Sequence, residues 1–383
     1  MKVLAVTGTN GKTTVTYMLE SIFRAAGLKS GIIGTINYRW DNHVQPAPQT
    51  TPSAEHLADT LAAMKKDGVQ AVAMEVSSHA CDQHRIDGIR LQAAALTNLT
   101  QDHLDYHQTM ECYEKAKLRL FSELLPENPD AIAVLNIDED AGRRFTRYTL
   151  PANTLTYSLH RSEALLHANR ILFSPNGMQL NLELQNTPIQ IDLPLHGIYN
   201  AMNALTALGL AVSAGIPLKA ILKGFRTIEG VPGRFEFVKA GQPFPVIVDY
   251  AHTPDSLTQT LLQAQGFARR KLIVVFGCGG DRDTGKRALM GKAAALLADR
   301  IIVTDDNPRT EDPEHITEAI VEGINSANHK HNDWIVIPDR ASAIRHALAE
   351  AGEGDAVLIA GKGHEDYQIL GDKRIHFDDR EVA

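Results

Sequence analysis

The chain has 383 residues, 44% of them hydrophobic and 22% charged, which is typical of a globular protein with about two domains. Its formal net charge of -8 argues against nucleic acid as a partner, because such binding normally requires a basic surface. The three cysteines (Cys81, Cys112 and Cys278) contain no CxxC pair, so neither a disulfide framework nor a zinc site is predicted. Since no apolar run reaches transmembrane length and no leader is recognisable, the sequence predicts no membrane partner and a cytoplasmic location.

A glycine loop follows the first apolar run of the chain. Residues 3–6 have the composition of a buried strand, and a helical pattern runs from about residue 14 to residue 26. The loop between them consists of Gly8, Thr9, Asn10, Gly11, Lys12, Thr13 and Thr14. Strand, glycine loop and helix in this order form a phosphate cradle, in which a lysine adds charge and a hydroxyl can hold Mg²⁺. The spacing departs from the common GxxxxGK[ST] motif, because Val6 occupies the place of its first glycine.

Strand-like and helical patterns alternate from the N-terminus to about residue 137, which predicts a P-loop-type, mostly parallel central sheet in an α/β fold. Residues 154–193 show short alternating runs, which favour an antiparallel addition to that sheet. A turn-rich segment near residue 232 is followed by a second α/β series, which predicts a smaller Rossmann-like domain. We therefore expect a first domain at residues 1–232, which carries the glycine loop, and a C-terminal domain at residues 233–383.

Two of the predicted strands lead into residues that suit a metal ion. Glu75 lies at the carboxyl end of the run 71–76, where parallel sheets place their ligands, and Mg²⁺ prefers a few carboxylates together with substrate oxygens. The stretch 97–107 is dense in side chains that bind metals. His103 is the preferred ligand there, and the alternatives are Asp102, Asp105 and His107.

One lysine lies on an apolar helix face. In the helical pattern of residues 112–125, Lys117 falls on the same stripe as Tyr113 and Leu120, whereas Lys115 and Arg119 do not. Burial disfavours the charged form of a lysine, and a neutral amine could react with CO₂ to give a carboxylate-like metal ligand. The alternative is an ordinary lysine whose long stem reaches solvent.

Four stretches in the second half also follow predicted strands: residues 249–255, 277–287, 305–309 and 361–365. The carboxyl ends of parallel strands meet at one edge of a sheet, so these stretches should gather there. Their arginines could bind a carboxylate through two parallel hydrogen bonds. Each stretch taken alone could also be a solvated loop.

The motifs of the chain are, in order, TGTNGKTT, EVSSHA, TNLTQDHLDYH, YEKAKLRLF, HGIYNAMNAL, VPGRFE, DYAHTPD, FGCGGDRDTGKR, DNPR and GKGHEDYQ. In combination they resemble the Mur ligase family, the ATP-dependent amide-forming enzymes of peptidoglycan precursor synthesis. Within that family they are similar to members that add the third peptide residue to UDP-N-acetylmuramoyl-L-alanyl-D-glutamate. The form DNPR is similar to that of members that use meso-diaminopimelate rather than L-lysine.

The resemblance implies an ATP site with two Mg²⁺ ions. Lys12 would bind the ATP phosphates with the rest of the glycine loop, and the metal ligands would be Thr13, Glu75, His103 and a carbamylated Lys117. The remaining contacts to ATP would come from Asn136, Asn200, Asn203, Arg234 and Asp249. The resemblance implies contacts to the muramoyl-peptide acceptor from Thr50, Thr51, Ser77, Gln83 and Arg85. It implies a pocket for the diamino acid formed by Arg282, Asp306, Asn307, Arg309, Gly361 and Glu365.

Full-length members of the family carry an N-terminal domain that holds the uridine nucleotide, whereas this sequence starts on the first strand of the ATPase domain. The acceptor is therefore open, and a related ligase acting on another, non-UDP carboxylate is the alternative. A nucleotide-binding subunit without catalysis is a third possibility, against which the joint presence of Lys12, Glu75, His103 and Lys117 argues. The partners expected from the resemblance are the two small-molecule substrates, and we expect a monomer.

Overall fold

The computed structural model describes residues 1–150, 153–174, 176–184, 187–327 and 333–383. These residues form two compact units. The first contains Met1–Thr100 and His107–Glu229, and the second contains Gln101–Tyr106 and Gly230–Ala383. The predicted α/β class is confirmed, with a large, mainly parallel sheet in the first unit and a smaller one in the second. No helix among the residues described is long and apolar enough to cross a membrane.

The first unit contains a sheet of eleven strands among its described residues. In chain order the strands are β1 (Lys2–Thr7), β2 (Ser30–Ile33), β3 (Asn37–Trp40), β4 (His43–Pro46), β5 (Ala71–Glu75), β6 (Ala93–Leu96), β7 (Ile132–Asn136), β8 (Thr154–Ser158), β9 (Leu166–Ser174), β10 (Gly177–Leu184) and β11 (Thr187–Leu193). Their spatial order is β11-β10-β9-β8-β7-β6-β1-β5-β2-β3-β4. The glycine loop thus leaves the sheet from β1, between the parallel neighbours β5 and β6.

Two details of this sheet differ from the sequence prediction. The strand β8 does not begin the antiparallel addition, because it pairs in parallel with both β7 and β9. Within the predicted stretch, β10 runs antiparallel to both β9 and β11, and residues 175 and 185–186 lie outside the described residues. β2 ends at Ile33, and the chain then forms the hairpin β3–β4, whereas the sequence predicted only alternating strands and helices here.

Helices cover the sheet of the first unit because their apolar residues recur on one face. In α1, for example, Val15, Met18, Leu19 and Ile22 are fully buried. The helices up to residue 229 are α1 (Lys12–Ala25), α2 (Ala54–Lys66), α3 (Ser78–Asp82), α4 (Leu104–His107), α5 (Met110–Arg119), α6 (Asp140–Phe145), α7 (Ile198–Ser213) and α8 (Leu218–Arg226). A π-helical turn at Leu120–Leu124 continues α5.

The second unit contains a sheet of six strands in its described part, in the order β12-β13-β17-β14-β15-β16, and a separate hairpin β18–β19. The strands are β12 (Glu236–Val238), β13 (Val246–Asp249), β14 (Leu272–Phe276), β15 (Arg300–Val303), β16 (Asp333–Val336), β17 (Ala356–Ala360), β18 (Tyr367–Leu370) and β19 (Lys373–His376). The helices are α9 (Pro254–Gln265), α10 (Gly285–Leu297), α11 (Pro313–Ser326), α12 (Arg340–Glu350) and α13 (Asp379–Val382).

Parallel strands buried on both faces read as continuous apolar runs, and β14 is such a strand. Val274 and Phe276 pack into the core on one face, while Ile273 and Val275 pack into the core on the other. A polar side chain therefore finds room only where a strand ends. The polar residues that follow β13, β14, β15 and β17 meet at this edge of the second unit.

Candidate functional site

The glycine loop takes a path that only glycine allows. Gly8 and Gly11 have φ values of 143° and 88°, a region that other residues rarely adopt. A Cβ atom on Gly8 would also lie 1.9 Å from the Oγ1 atom of Thr97. Lys12 Nζ donates hydrogen bonds to the carbonyls of Gly8 (2.9 Å) and Thr9 (2.7 Å), so its ammonium lies over the loop. An ammonium and the first N–H groups of a helix converge here, which suits a phosphate group.

Neighbouring side chains hold the rest of the loop. The backbone N–H of Asn10 donates to Asn98 Oδ1 at 2.9 Å, and Thr97 Oγ1 donates to the Asn10 carbonyl at 2.7 Å. The hydroxyl of Thr9 lies 3.1 Å from that of Tyr113. Thr14 is buried in the first turn of α1. The loop is therefore fixed from the strand ends beside it.

Glu75 ends β5 as a buried carboxylate beside this loop. Its Oε2 atom accepts hydrogen bonds from the hydroxyls of Thr13 (3.1 Å) and Thr35 (2.9 Å), and its Oε1 atom accepts the Thr35 N–H (3.0 Å). The hydroxyls of Thr35 and Thr50 are 3.1 Å apart. The structure therefore brings the predicted pair Thr13 and Glu75 together. A hydroxyl and a carboxylate beside a phosphate cradle are suitable ligands for Mg²⁺.

Thr35 is a contact of Glu75 that the sequence reading missed. A Cβ atom on the preceding Gly34 would come within 2.3 Å of Glu75 Oε1, so the chain turns at this point directly onto the carboxylate. The available signal was the Gly-Thr pair just after the strand-like run that became β2.

Lys117 is brought to the glycine loop from α5. Its side chain is buried, and Nζ donates to the Gly8 carbonyl at 2.9 Å. The same Nζ lies 4.6 Å from the centre of the Tyr113 ring, one turn earlier on the helix. The amine therefore points to the phosphate cradle. The alternative, an ordinary lysine whose stem reaches solvent, does not fit this position. Carbamylation of Lys117 stays a prediction.

His103 belongs to the second unit, within the segment Gln101–Tyr106. It has a φ of 55° and its ring Nε2 lies 3.4 Å from Oδ2 of the buried Asp102. Of the alternative ligands, His107 bonds Ser78 Oγ at 2.9 Å through Nε2, and Asp105 is exposed on α4. No three His, Cys, Asp or Glu side chains gather around a metal position anywhere in the described ranges. A Mg²⁺ site built mainly from phosphate oxygens does not need such a group.

Three predicted ATP contacts are buried asparagines of the first unit. Asn136 Nδ2 donates to the Thr97 carbonyl at 2.8 Å, and Asn203 Nδ2 donates to Asn200 Oδ1 at 3.1 Å. A Cβ atom on Gly11 would lie 2.3 Å from Asn203 Oδ1, so the start of α7 lies against the glycine loop. Asn200 and Asn203 are thus placed beside the phosphate cradle.

The two other predicted ATP contacts lie in the second unit. The guanidinium of Arg234 stacks 4.4 Å above the ring of Tyr250. Asp249 accepts hydrogen bonds from the Phe235 N–H (2.7 Å) and from the Thr260 hydroxyl (3.3 Å). Burial raises the pKa of Asp249, and the nearby charge of Arg234 opposes this rise. Asp249 is therefore bonded on both carboxylate oxygens within its own unit.

The predicted acceptor residues form one hydrogen-bonded cluster around Thr51. Its hydroxyl donates to the Glu75 carbonyl at 2.9 Å and accepts the Ser77 N–H at 3.0 Å. Arg85 donates to the Thr51 carbonyl at 3.0 Å through Nη1 and to Gln83 Oε1 at 2.9 Å through Nε. A cation and several hydroxyls next to the carboxyl end of β5 form a surface suited to a polar, anionic acceptor.

In the second unit, the predicted diamino-acid residues surround a fully buried lysine. Asn307 Nδ2 donates to Glu365 Oε2 at 3.0 Å. Lys362 Nζ lies 3.1 Å from Asn307 Oδ1, 3.3 Å from Glu365 Oε2 and 3.5 Å from Asp306 Oδ1. Gly361 has a φ of 118°, and a Cβ atom there would lie 2.7 Å from Asp306 Oδ2. Lys362 was not predicted as a site residue, although it lies inside the GKGHE motif.

The pKa values of the two carboxylates in this cluster, Glu365 and Asp306, are shifted in opposite directions. Burial and the charge of Asp306 raise the pKa of Glu365, against the opposing effect of Lys362. Burial alone would raise the pKa of Asp306 as well, but Lys362 and Arg340 hold it below its ordinary value. Asp306 is therefore the more strongly ionised carboxylate of the two.

Arg309 and Arg282 complete the predicted pocket. Arg309 has a φ of 54°, and its Nη1 donates to the Gly280 carbonyl at 2.7 Å. A Cβ atom on Gly279 would lie 3.0 Å from Arg309 Nη1 and 3.8 Å from Arg282 Cγ, so both side chains lie against the glycine-rich loop after β14. Carboxylates at this edge of the sheet could bind the ammonium group of an amino acid, and the arginines could bind its carboxylate.

Comparison with known proteins agrees with this arrangement. The Mur ligase middle domain matches residues 6–211, and the Mur ligase, glutamate ligase domain matches residues 233–363. The UDP-N-acetylmuramoyl-L-alanyl-D-glutamate--2,6-diaminopimelate ligases of Synechococcus elongatus and Geobacillus thermodenitrificans are 47% and 45% identical to this chain. Both matches cover 100% of this chain, and 76% and 78% of the relatives. A solved structure of a ligase with the same name is 36% identical, has a TM-score of 0.67, and is matched over 100% of this chain and 77% of its own. The chain therefore belongs to the Mur ligase family.

Proposed function

We propose that this protein uses ATP to join meso-diaminopimelate to UDP-N-acetylmuramoyl-L-alanyl-D-glutamate in peptidoglycan precursor synthesis. The observation that carries the proposal is the 47% identity, over the whole chain, to a ligase named for this reaction. The buried cluster of Asp306, Asn307, Lys362 and Glu365 supports it, because it offers two carboxylates and one amide to an amino acid. Since the reaction consumes ATP, we place it in the cytoplasm.

The reaction has two steps. A carboxylate oxygen of the acceptor attacks the γ-phosphoryl group of ATP, the bond to ADP breaks, and an acyl phosphate forms. The neutral amine of diaminopimelate then attacks the acyl carbon, phosphate leaves, and the amine loses a proton. Lys12 and the N–H groups at the start of α1 would neutralise and orient the phosphate oxygens in the first step.

The residues of the first unit fit a magnesium ion at the phosphate cradle. Thr13 and Glu75 would hold one Mg²⁺, and their oxygens already lie 3.1 Å apart. We propose that a carbamylated Lys117, which forms when the neutral amine adds CO₂ and loses a proton, is a ligand of the second Mg²⁺, and that His103 is a metal ligand of the second unit. The buried position of Lys117 beside the Gly8 carbonyl supports this assignment. The ions would neutralise charge that accumulates on the phosphate oxygens.

The charged groups around the two substrates have separate tasks. In the first unit, Arg85 and the hydroxyls around Thr51 would bind and orient the acceptor. In the second unit, the carboxylates of Asp306 and Glu365 would accept hydrogen bonds from the remote ammonium group of diaminopimelate. Arg309 would bind the neighbouring carboxylate in a planar, two-bond contact.

The direct test measures phosphate release from ATP and Mg²⁺ in the presence of UDP-muramoyl-dipeptide, with and without meso-diaminopimelate. We expect release that requires both substrates and a tripeptide product in the mass spectrum. Lys12→Met serves as the inactive control, since it removes the ammonium over the loop. Tight ATP binding without any turnover would contradict the proposed acceptor. In that case other carboxylates are tested, and product with one of them identifies a related ligase.

A further inference from the structure

The second unit contains an ion pair from which solvent is completely excluded. Arg340, the first residue of α12, donates from Nε to Asp379 Oδ1 at 2.7 Å and from Nη2 to Asp379 Oδ2 at 2.8 Å. Both side chains are 0% exposed. Two charges in such a place are expensive to desolvate, and an apolar pair of similar volume often gives equal or greater stability. Stability alone is therefore a weak reason for this pair.

The same guanidinium reaches the predicted diamino-acid pocket. Arg340 Nη2 also donates to the carbonyl of Ala360 at 3.0 Å, at the end of β17. The next residue is Gly361, and a Cβ atom there would lie 3.9 Å from Arg340 Nη2 and 2.7 Å from Asp306 Oδ2. Arg340 therefore lies directly behind the backbone that separates it from Asp306.

Two buried cations thus face the carboxylates of the pocket. Lys362 Nζ lies 3.5 Å from Asp306 Oδ1 and bonds Glu365 and Asn307, so it touches the pocket residues themselves. Arg340 bonds the backbone carbonyl at the end of β17 and, as its side-chain partner, Asp379. Asp306 remains ionised beside these cations, and the opposing charges would attract its side chain towards Gly361.

We infer that Arg340, held in place by Asp379, is a positioning residue for the incoming diamino acid. Its two bonds to Asp379 fix the guanidinium, and its bond to Ala360 fixes the turn at Gly361 against which Asp306 lies. The inference rests on the proposed function, because it assigns the pocket to diaminopimelate. It gives the helix α13 a part in substrate binding although α13 supplies no group that touches the substrate.

A structural role and a positioning role predict different results for one double variant. Arg340→Met combined with Asp379→Leu removes both charges and keeps an apolar contact of similar volume. The fold should tolerate this exchange, as buried ion pairs replaced in this way usually do. The bond to the Ala360 carbonyl is lost in the double variant, so the turn at Gly361 loses its fixed position.

The experiment compares the double variant with the wild-type protein and with a matched control. The control is Arg300→Met with Glu350→Leu, because Arg300 donates to Glu350 at 2.9 Å at the other end of α12. Steady-state phosphate release gives KM for diaminopimelate and for ATP, and thermal unfolding gives the melting temperature. The single variant Arg340→Met, which leaves Asp379 without its partner, should unfold at a lower temperature than the double variant.

We expect the double variant to raise KM for diaminopimelate by about tenfold or more, since small displacements of binding groups weaken substrate alignment strongly. KM for ATP and the melting temperature should stay close to those of the wild-type protein, and the control should change neither KM. An unchanged KM for diaminopimelate in a folded double variant would overturn the inference and leave the proposed function intact. Absence of diaminopimelate-dependent turnover in the wild-type protein would overturn both.

Discussion

The hydroxyl of Thr35 allows a direct test of the site, because it can be replaced by a methyl group of similar size. Thr35→Val keeps the shape of the side chain and the N–H bond to Glu75 Oε1, but it removes the 2.9 Å hydrogen bond to Glu75 Oε2. Since that hydroxyl has only one proton, it accepts from Thr50, so the variant also removes an acceptor. A hydrogen bond to a buried charged group contributes about 1.5–3 kcal/mol.

We therefore expect the free energy of unfolding of Thr35→Val to fall by about 1.5–3 kcal/mol in urea denaturation. If the same bond orients Glu75 during the reaction, kcat/KM for ATP falls by about 10- to 100-fold. Thr35→Ser restores the hydroxyl and is the matched control, which should retain most of the activity. Wild-type stability and wild-type kcat/KM in Thr35→Val would refute the assignment, and equal losses in both variants would point to packing instead.

Three further predictions concern other parts of the chain. Gly8→Ala should abolish ATP binding in calorimetry because its Cβ would lie 1.9 Å from Thr97 Oγ1, whereas Gly352→Ala, with its nearest neighbour at 3.8 Å, should bind ATP normally. Phe225→Ala, at a fully buried position, should lower the free energy of unfolding by about 3–5 kcal/mol in urea. Burial lowers the pKa of His364 from 6.5 to about 3, so the unfolded chain takes up its proton first and stability falls as the pH drops below 6.5. His364→Gln should therefore show a shallower loss of stability between pH 6.5 and pH 4 than the wild-type protein, and an equal slope would contradict this.

The sheet of the first unit could be predicted wherever local pattern and final environment agree. The buried runs that became β1 and β5 are apolar on both faces, and such runs alternating with helices indicate a parallel sheet. The hairpin β3–β4 was missed because its strands have only four residues each and because the second strand, β4, is mostly exposed. The parallel pairing of β8 was missed for a different reason: alternation shows which face is buried, but the direction of the neighbouring strand depends on distant residues.

Within the candidate site, residues on glycine-rich turns were easier to predict than those that support them. Gly8 and Gly361 are recognisable in the sequence as glycines in turns, and the structure gives both a φ that other residues rarely adopt. Thr35 and Arg340 carry no such mark, since threonines and arginines are common on any surface. Their importance depends on contacts with Glu75 and Asp379, which lie 40 and 39 positions away along the chain.

Lys117 and Lys362 show why buried charge is the more informative signal in this fold. Lys117 lies on the buried face of α5 and Lys362 lies in the loop after β17. An apolar residue would be buried there with less desolvation, and each amine nonetheless lies at a predicted substrate site. A residue that breaks the local pattern at a cost in stability is expected where a site needs its charge. Arg340 and Asp379 break the pattern in the same way, but behind the pocket and not inside it. If their charges served only the fold, an apolar pair would stabilise it equally well. The paired substitution is therefore decisive, because only a role in binding predicts a change in KM for diaminopimelate in the double variant.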